Sequence, residues 1–305
     1  MAWLAWRQFR VQAAAAVAAV TVVVVALVVT RGHLVDTYGP SGNTDLTGFY
    51  VWLRLLGTAL IGVPAIIGAF WGAPLLAREF EEHTHRMIWT QSITRRRWLA
   101  TKLAVIGTVT VAVVTVFALV FTWWSTPIDA AGNRIGSANF AQRGVVPIGY
   151  ALFGLALGTL AGTMLRRTLP AMGATLAGFF VVRLFFQKVI RDRLLSAKTV
   201  NLGLFGADNT AGRVLSSHTV DAAGRTIGTT NLESTLVAAC NITRETPDAD
   251  KALADCAQKL GYHDVAQVHT AGQFWSLQAL ELGCFLALTA VIIATCFWWL
   301  DHRGS

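Results

Sequence analysis

The segment from position 78 to 102 holds the densest group of side chains able to do chemistry. Glu79, Glu82, His83 and His85 place two carboxylates and two imidazoles within seven residues, and these groups can ligate metals or transfer protons. The chain contains no H-E-x-x-H motif, however, and the arginines around this group oppose a bound cation. We therefore expect no metal site and no catalytic residues in this chain.

The same segment has the composition of a short helix exposed to the cytoplasm. It opens acidic, closes basic and contains no glycine or proline, and it is too long for a minimal hairpin between helices. Its apolar residues Phe80, Met87, Ile88 and Trp89 lie among charges, as in surfaces that dock a soluble partner. The alternative is that these residues lie against lipid headgroups and that the charges only anchor the loop. Composition alone leaves both interpretations open.

The elements that carry this loop are long apolar runs. The chain has 54% hydrophobic and 14% charged residues, whereas about 25% charged is usual for soluble proteins. A bilayer core needs roughly 20 apolar residues of helix, because backbone polar groups must be satisfied within the helix. Six runs meet this test: Val11–Thr30, Leu55–Ala77, Leu103–Trp124, Gly144–Leu165, Thr168–Gln187 and Gln273–Leu300. They predict an all-α, polytopic membrane protein with six transmembrane helices.

Basic residues between these runs predict the orientation. Eleven Lys or Arg fall in segments that lie inside if the N-terminus is cytoplasmic, and far fewer fall in the short outer loops. Basic residues are retained on the cytoplasmic side, so both termini are predicted to be cytoplasmic in a multi-pass protein of the cell membrane. This pattern explains the net charge of +8 without nucleic-acid binding. Trp3 to Arg10, aromatic and basic, predicts an N-terminal interfacial helix, with an ordinary flanking belt as the alternative.

Three regions follow from these predictions. Residues 1–188 hold helices one to five with the loop at 78–102, residues 189–272 form an extracellular cap, and residues 273–305 hold the sixth helix and a short cytoplasmic tail. The cap is almost neutral, with eight basic and nine acidic residues. It is predicted to be small and helical, because an N-cap signal and Gly261 bound a helix at Pro247–Leu260.

Two pairs of residues in or beneath the cap need an explanation. Cys240 and Cys256 lie in a compartment where thiols are not kept reduced, so they either form a disulfide or remain two free thiols. Arg183 and Glu281 interrupt apolar helices and are placed about 21 and 28 Å above the inner ends by a rise of ~1.5 Å per residue. They either form an intramembrane ion pair or extend separately to the outer surface.

The loop resembles the membrane subunits of the type 2 exporter family of ATP-binding-cassette (ABC) transporters. Those subunits have an acidic pair, a Gly-Thr, a hydrophobic patch, a Pro-x-Ser-Arg-like element and a Lys as the next span begins. The matching residues here are Glu79, Glu81, Thr84, Ile88, Trp89, Thr94, Arg95 and Lys102. His83 and Ser92 depart from the family's Gly and Pro. The likeness is greater still to permeases of high-GC Gram-positive bacteria, through "AREFEEHTHRMIWTQSITRRRWLATKL" and "FWSLQALELGCFLALTAVIIATCFWW".

The resemblance implies a permease subunit of an ABC exporter that moves a hydrophobic or amphipathic substrate outward. It implies that the loop is a coupling helix in contact with an ATPase subunit. The residues expected to bind this partner are Glu79, Phe80, Glu81, Glu82, Thr84, Met87, Ile88 and Trp89. The chain has no G-x-x-x-x-G-K-[ST] motif, so ATP and Mg are expected on the separate ATPase subunit and no cofactor on this chain. A second permease subunit, identical or not, is implied as well.

Two other classes of function compete with this expectation. An energy-independent sensor or immunity protein would bind a ligand with its extracellular cap and dock a signalling protein with its inner loop. An intramembrane enzyme would need inward-facing catalytic pairs at matching depth, which Arg183 and Glu281 fit poorly. The sequence does not identify the transported substrate.

Overall fold

A computed structural model describes residues 2–38, 60–81, 94–126, 135, 140–202, 213–227, 236, 239–240 and 249–303. The chain divides into two compact units. Unit 1 comprises Met1–Pro127, Ser137–Leu194 and Trp275–Ser305, and unit 2 comprises Ile128–Gly136 and Leu195–Phe274. Unit 1 thus extends six residues beyond the predicted limit of 188.

Unit 1 is built from helices. Its α-helices are α1 (Ala2–Tyr38), α2 (Val63–Ile67), α3 (Ala73–Glu81), α4 (Arg95–Trp124), α5 (Val146–Leu165), α6 (Thr168–Phe185) and α8 (Phe274–Arg303). Five helical stretches in the described residues are long and apolar enough to cross a membrane: Ala13–Gly32, Arg96–Trp124, Val146–Leu165, Thr168–Arg193 and Ala271–His302. They correspond to five of the six predicted spans.

The remaining predicted span, Leu55–Ala77, is described from Leu60 onward. There the chain forms α2, a π-helical turn at Gly68–Gly72 and α3 in direct succession. The π-helical turn divides the helix into short pieces, so no single α-helix of spanning length is present in this part. A sixth crossing therefore stays a prediction.

The predicted interfacial segment is the first part of a longer helix. α1 runs from Ala2 to Tyr38, so within the described residues Trp3–Arg10 continues directly into the apolar run. No glycine or proline precedes Gly32, and these are the residues that would end or kink the helix here.

Helix α5 lies at the centre of unit 1 and packs against α2, the π-helical turn and α3 through glycine. Of its spanning window, 61% is buried inside the chain, compared with 28% or less for the other four. A Cβ added to Gly154 would lie 2.5 Å from the Pro64 carbonyl oxygen, and one added to Gly72 would lie 2.5 Å from the Leu155 carbonyl oxygen. An added Cβ at Gly158 would lie closer still to backbone atoms. The two backbones are therefore in direct contact, as small residues permit in membrane helices.

The fifth predicted helix is longer than Thr168–Gln187. After α6, a π-helical turn at Phe186–Ile190 and a 3-10 turn at Arg191–Arg193 continue it to the end of the unit. The charged residues 188–193 suggested the start of the cap, but Arg191 is buried at 2% exposure, so this segment belongs to the helical unit.

Unit 2 is not the purely helical cap that was predicted. It holds a four-stranded antiparallel sheet in the order β1-β4-β2-β3, with β1 at Lys198–Leu202, β2 at Arg213–Val220, β3 at Thr226–Ile227 and β4 at His263–His269. Leu202, Ala266 and Val268 are buried together on the sheet. Strands β1 and β4 come from opposite ends of the insertion, so their pairing is non-local and leaves no signal in a short window of sequence.

The helix predicted within this insertion is present. Helix α7 spans Ala249–Lys259, close to the predicted Pro247–Leu260. It ends at Gly261, whose φ of +81° is a conformation that glycine adopts without strain. The Tyr262 N–H donates to the Ala257 carbonyl and the Gly261 N–H to the Gln258 carbonyl, which is the Schellman arrangement. Thr246 and Pro247 lie outside the described residues.

Candidate functional site

Glu79 at the start of the predicted coupling loop forms an ion pair with Lys102. Both side chains are nearly buried, and the Lys102 ammonium also lies 4.6 Å from the centre of the Trp98 ring. A buried ion pair resists separation because either charge alone would be left without compensation. The pair therefore joins α3 to α4 across the base of the loop.

Phe80 lies inside the chain. It is 8% exposed and packs in an apolar cluster with Leu76, Trp98 and Leu300, and the Arg166 guanidinium lies 5.5 Å from its ring centre. Its expected role was partner binding, but its side chain here connects α3, α4 and α8. The aromatic residue is thus part of the support of the loop.

Glu81 caps the first turn of α6. Its carboxylate accepts hydrogen bonds from the Thr168 hydroxyl at 2.5 Å and from the Thr168 backbone N–H at 3.1 Å. These bonds, with Arg167 nearby, hold the pKa of Glu81 below its ordinary value. A carboxylate at a helix N-terminus is also favoured by the helix dipole. The acidic residues at the loop base therefore hold two different neighbouring helices.

The other expected partner-binding residues fall outside the described part of the chain. These are Glu82, Thr84, Met87, Ile88 and Trp89. The description resumes at Thr94, the N-cap of α4, whose side-chain oxygen accepts from the Arg97 N–H at 3.4 Å.

Contacts at both ends of unit 1 show which helix ends lie together. At the loop end, Arg96 Nε donates to Asp301 Oδ2 at 2.8 Å, so the start of α4 meets the end of α8. At the other end, Arg31 donates to the Trp123 carbonyl, so the ends of α1 and α4 meet. There the Gln278 side-chain oxygen of α8 also accepts two backbone N–H bonds at the start of α5. Helices α1 and α4 therefore run in the same direction, and α5 and α8 run in the opposite one.

The two charged residues predicted inside the spans lie in one buried cluster. Arg183 Nη1 is 3.6 Å from Glu281 Oε1, and the side chains are 2% and 0% exposed. The Arg183 guanidinium also lies 4.0 Å from the centre of the Tyr150 ring, and the Tyr150 hydroxyl donates to Glu281. The structure thus brings α5, α6 and α8 together around one carboxylate.

The main partner of Glu281 is Arg191, which the sequence analysis had assigned to the cap. Arg191 Nε lies 2.9 Å from Oε2 and Nη2 lies 2.8 Å from Oε1, a bidentate pair. Nη2 is also 3.1 Å from the Tyr150 hydroxyl oxygen, and Phe140 packs 4.8 Å from the guanidinium. Bidentate arginine pairs are the strong ones. The missed signal was the spacing of eight residues from Arg183, about two helical turns, which puts both arginines on one face.

An apolar cavity of about 450 Å³ lies beside this cluster within unit 1. α1, α2 with its π-helical turn, α4, the start of α5, and α6 all line it, and Gln142, Tyr150 and Arg183 are its polar residues. Its size lies within the ~300–1,000 Å³ usual for small-molecule sites.

The structure joins Cys240 and Cys256 in a disulfide with Cα atoms 6.2 Å apart, within unit 2. The buried Leu236, Leu253 and Ala257 form an apolar cluster in the same unit. Cys284 and Cys296 of α8 are free thiols, and Cys296 is buried.

The five long apolar helices in the described part of the chain are typical of a multi-pass membrane protein. Residues 14–191, more than half of the chain, match the model of the family described as ABC-2 membrane transporter related. The chain belongs to this family, so it is an ABC-2-type transporter permease. Searches of curated proteins and of solved structures return no match.

Proposed function

We propose that this chain is the membrane subunit of an ABC exporter, driven by ATP that a separate ATPase subunit hydrolyses. Its family membership supports the transporter part of this proposal. The chain would work as a dimer of permease subunits with two ATPase subunits at the loop end, and both of its termini would be cytoplasmic. Its second helical segment would complete six crossings.

The observation that carries the coupling role is the double attachment of the loop base. Glu79 is paired with Lys102 of α4, and Glu81 is bonded to Thr168 of α6. A displacement of residues 82–93 by a partner would therefore act on both helices at once. Since a partner shifts a conformational equilibrium only through different contacts in the two states, the loop must fit the ATP-bound partner differently from the free one.

The division of labour within the predicted coupling loop follows from burial. Met87, Ile88 and Trp89 would provide the surface that contacts the ATPase. Glu79 and Phe80 would transmit its movement, because they are packed within the chain. The two groups should behave differently when mutated.

The experiment is affinity purification of the tagged chain in mild detergent, with identification of co-purifying proteins and assay of ATP hydrolysis. We expect a stoichiometric P-loop ATPase. The double substitution Met87→Ala and Trp89→Ala should release it, whereas Glu79→Gln should retain it but lose the coupling of hydrolysis to transport. A chain that purifies with a signalling protein and no ATPase would support the sensor alternative.

The matched control is Asp301→Asn. It breaks the Arg96–Asp301 pair at the same end of unit 1, where Arg96 is 73% exposed. Exposed pairs contribute little, and this pair involves neither Glu79 nor Glu81, so binding and coupling should both persist. If Asp301→Asn loses coupling to the same extent as Glu79→Gln, the contacts at the loop base have no special role in coupling.

A further inference from the structure

The cavity in unit 1 has apolar walls and one charged end. Most of its lining residues are Ala, Val, Leu, Ile and Phe, the larger part of them from α1, α2 and α4. Ile66 and Phe70 line it and are 52% and 53% exposed, so the cavity opens sideways between helices, toward the lipid in a membrane. Apolar molecules would therefore enter it from the bilayer.

The charged end is Arg183, whose hydrogen-bonding groups are unused. Its side chain is 2% exposed, and none of its three nitrogen atoms donates a hydrogen bond within the described part of the chain. Its contacts are the face of the Tyr150 ring and the Glu281 carboxylate at 3.6 Å. A buried guanidinium with five N–H donors and no hydrogen bond is costly.

The charge of the cluster points to the kind of ligand. Arg183 and Arg191 contribute two positive charges, and Glu281 contributes one negative charge. Arg191 already takes both Glu281 oxygens in its bidentate pair. The cluster therefore keeps one positive charge in a medium of low dielectric, where isolated charge is unfavourable, and that charge belongs to the arginine that lines the cavity.

We propose that this cavity binds a single-chain amphiphile with an anionic headgroup, such as a carboxylate or a phosphate. The apolar chain lies between α1, α2 and α4, and the headgroup accepts hydrogen bonds from Arg183. This arrangement neutralises the cluster and satisfies the unused donors. A volume of about 450 Å³ accommodates a single-chain amphiphile, and the lateral opening gives it access.

Binding needs no ATPase, so it is testable on the purified chain alone. That the bound amphiphile is also the exported substrate rests on the proposed function. A chain that binds the probe but has no ATPase partner would retain this inference and lose the proposed function. A chain that has an ATPase partner but does not bind the probe would retain the proposed function and lose this inference.

The test uses the chain in phosphatidylcholine nanodiscs with a photoactivatable, diazirine-bearing palmitate, followed by peptide mapping of the labelled sites. We expect labelling in α1, α2 and α4. Unlabelled palmitate and dodecyl phosphate should compete, and hexadecanol, which has a comparable chain and no charge, should compete at least about tenfold more weakly, since bonds to charged groups contribute most. Competition by palmitate alone would restrict the headgroup to a carboxylate. Equal competition by hexadecanol would overturn the proposal.

Two pairs of variants separate the headgroup contact from the chain contact. Arg183→Met should weaken labelling at least about tenfold, whereas Arg31→Gln, which removes another arginine of unit 1, should not. Ala19→Phe should fill the cavity and abolish labelling, whereas Ala18→Phe, at the neighbouring exposed position that does not line the cavity, should not. Equal effects within either pair would refute the site.

A second copy of the chain is the competing occupant of this opening. Discs with one and with two copies of the chain distinguish the two, because a copy that covers the opening excludes the probe. Labelling that occurs only in single-copy discs would assign the cavity to an interface between copies and overturn the proposal that it binds an amphiphile.

Discussion

Replacing each arginine of the buried cluster by methionine should have very different effects on stability. Arg191 makes two hydrogen bonds to Glu281, at 2.9 and 2.8 Å, and one to Tyr150 at 3.1 Å. Arg183 makes none, and its closest approach to the Glu281 carboxylate is 3.6 Å. Arg191→Met leaves Glu281 without its bidentate partner, whereas Arg183→Met leaves one balanced pair.

The magnitudes follow from the cost of isolating a buried charge. Removing one partner of a buried ion pair costs about 3–5 kcal/mol. Because Arg183 remains next to Glu281, we expect Arg191→Met to lower the free energy of unfolding by about 3 kcal/mol, the lower end of that range. Within the described residues Arg183 is a buried charge without a hydrogen bond, which is itself unfavourable, so Arg183→Met should either raise the free energy of unfolding or lower it by less than about 1 kcal/mol.

The assay is reversible unfolding of the two variants and the parent chain by urea, in micelles of the uncharged detergent dodecyl maltoside. The chain should be free of added anionic amphiphile, because a bound anion would stabilise the parent chain through Arg183. An equal loss in both variants, or a larger loss for Arg183→Met, would refute the assignment of Arg191 as the structural partner. A further check is Glu281→Gln, which leaves two adjacent positive charges and should be at least as destabilising as Arg191→Met.

Three further predictions concern other parts of the chain. Gly158→Ala should destabilise unit 1 by about 1–3 kcal/mol in the same assay, because the added Cβ would collide with backbone atoms of the facing helix. The control is Gly173→Ala, which should be neutral or stabilising because no atom lies within 4 Å of the added Cβ. The folded-state pKa of Glu81 is lowered, so its stabilising contribution is present at neutral pH and is lost as the pH falls through the folded pKa. The first amides of α6 should therefore lose protection from hydrogen exchange between about pH 7 and pH 3. Amides in the middle of the same helix serve as the reference for this loss. Cys240→Ser should remove the bridge to Cys256, which closes a loop of sequence separation 16, and lower the stability of unit 2 by about 3 kcal/mol.

The outcomes that would contradict these predictions are specific. Equal effects of the two glycine variants would show that the backbone contact at Gly158 does not determine the stability of unit 1. Unchanged protection of the first α6 amides in Glu81→Gln at neutral pH would show that the start of this helix does not depend on the Glu81 carboxylate. An identical mass of the alkylated chain with and without reductant would show that the cysteines are free thiols.

The helical unit was predictable because its signals are local. Apolar runs of about 20 residues identify the spans, and their boundaries in α4, α5 and α8 lie within a few residues of the structure, apart from the early start of α4. Helix α7 was predictable for the same reason, because Gly261 is a local signal that marks its end. The π-helical turn at Gly68–Gly72 was not, because no residue type distinguishes a π-helical from an α-helical turn.

The parts that sequence reasoning missed depend on distant contacts. The four-stranded sheet pairs Val200 with Ala266, and no short window of sequence contains both strands. The charged neighbours of Arg191 in the sequence predict a place in the cap, whereas its burial depends on Glu281, 90 residues away. Phe80 was assigned to a docking surface because it lies among charges, and its burial results from α4 and α8 folding around it.

The contact of α5 with α2 and α3 has a mechanical consequence. Side chains that interlock can exchange rotamers and give two helices a second stable arrangement, but Gly154 and Gly158 have no side chain to rearrange. A second arrangement of these segments would therefore require the two backbones to slide or separate, because no rotamer change can produce it.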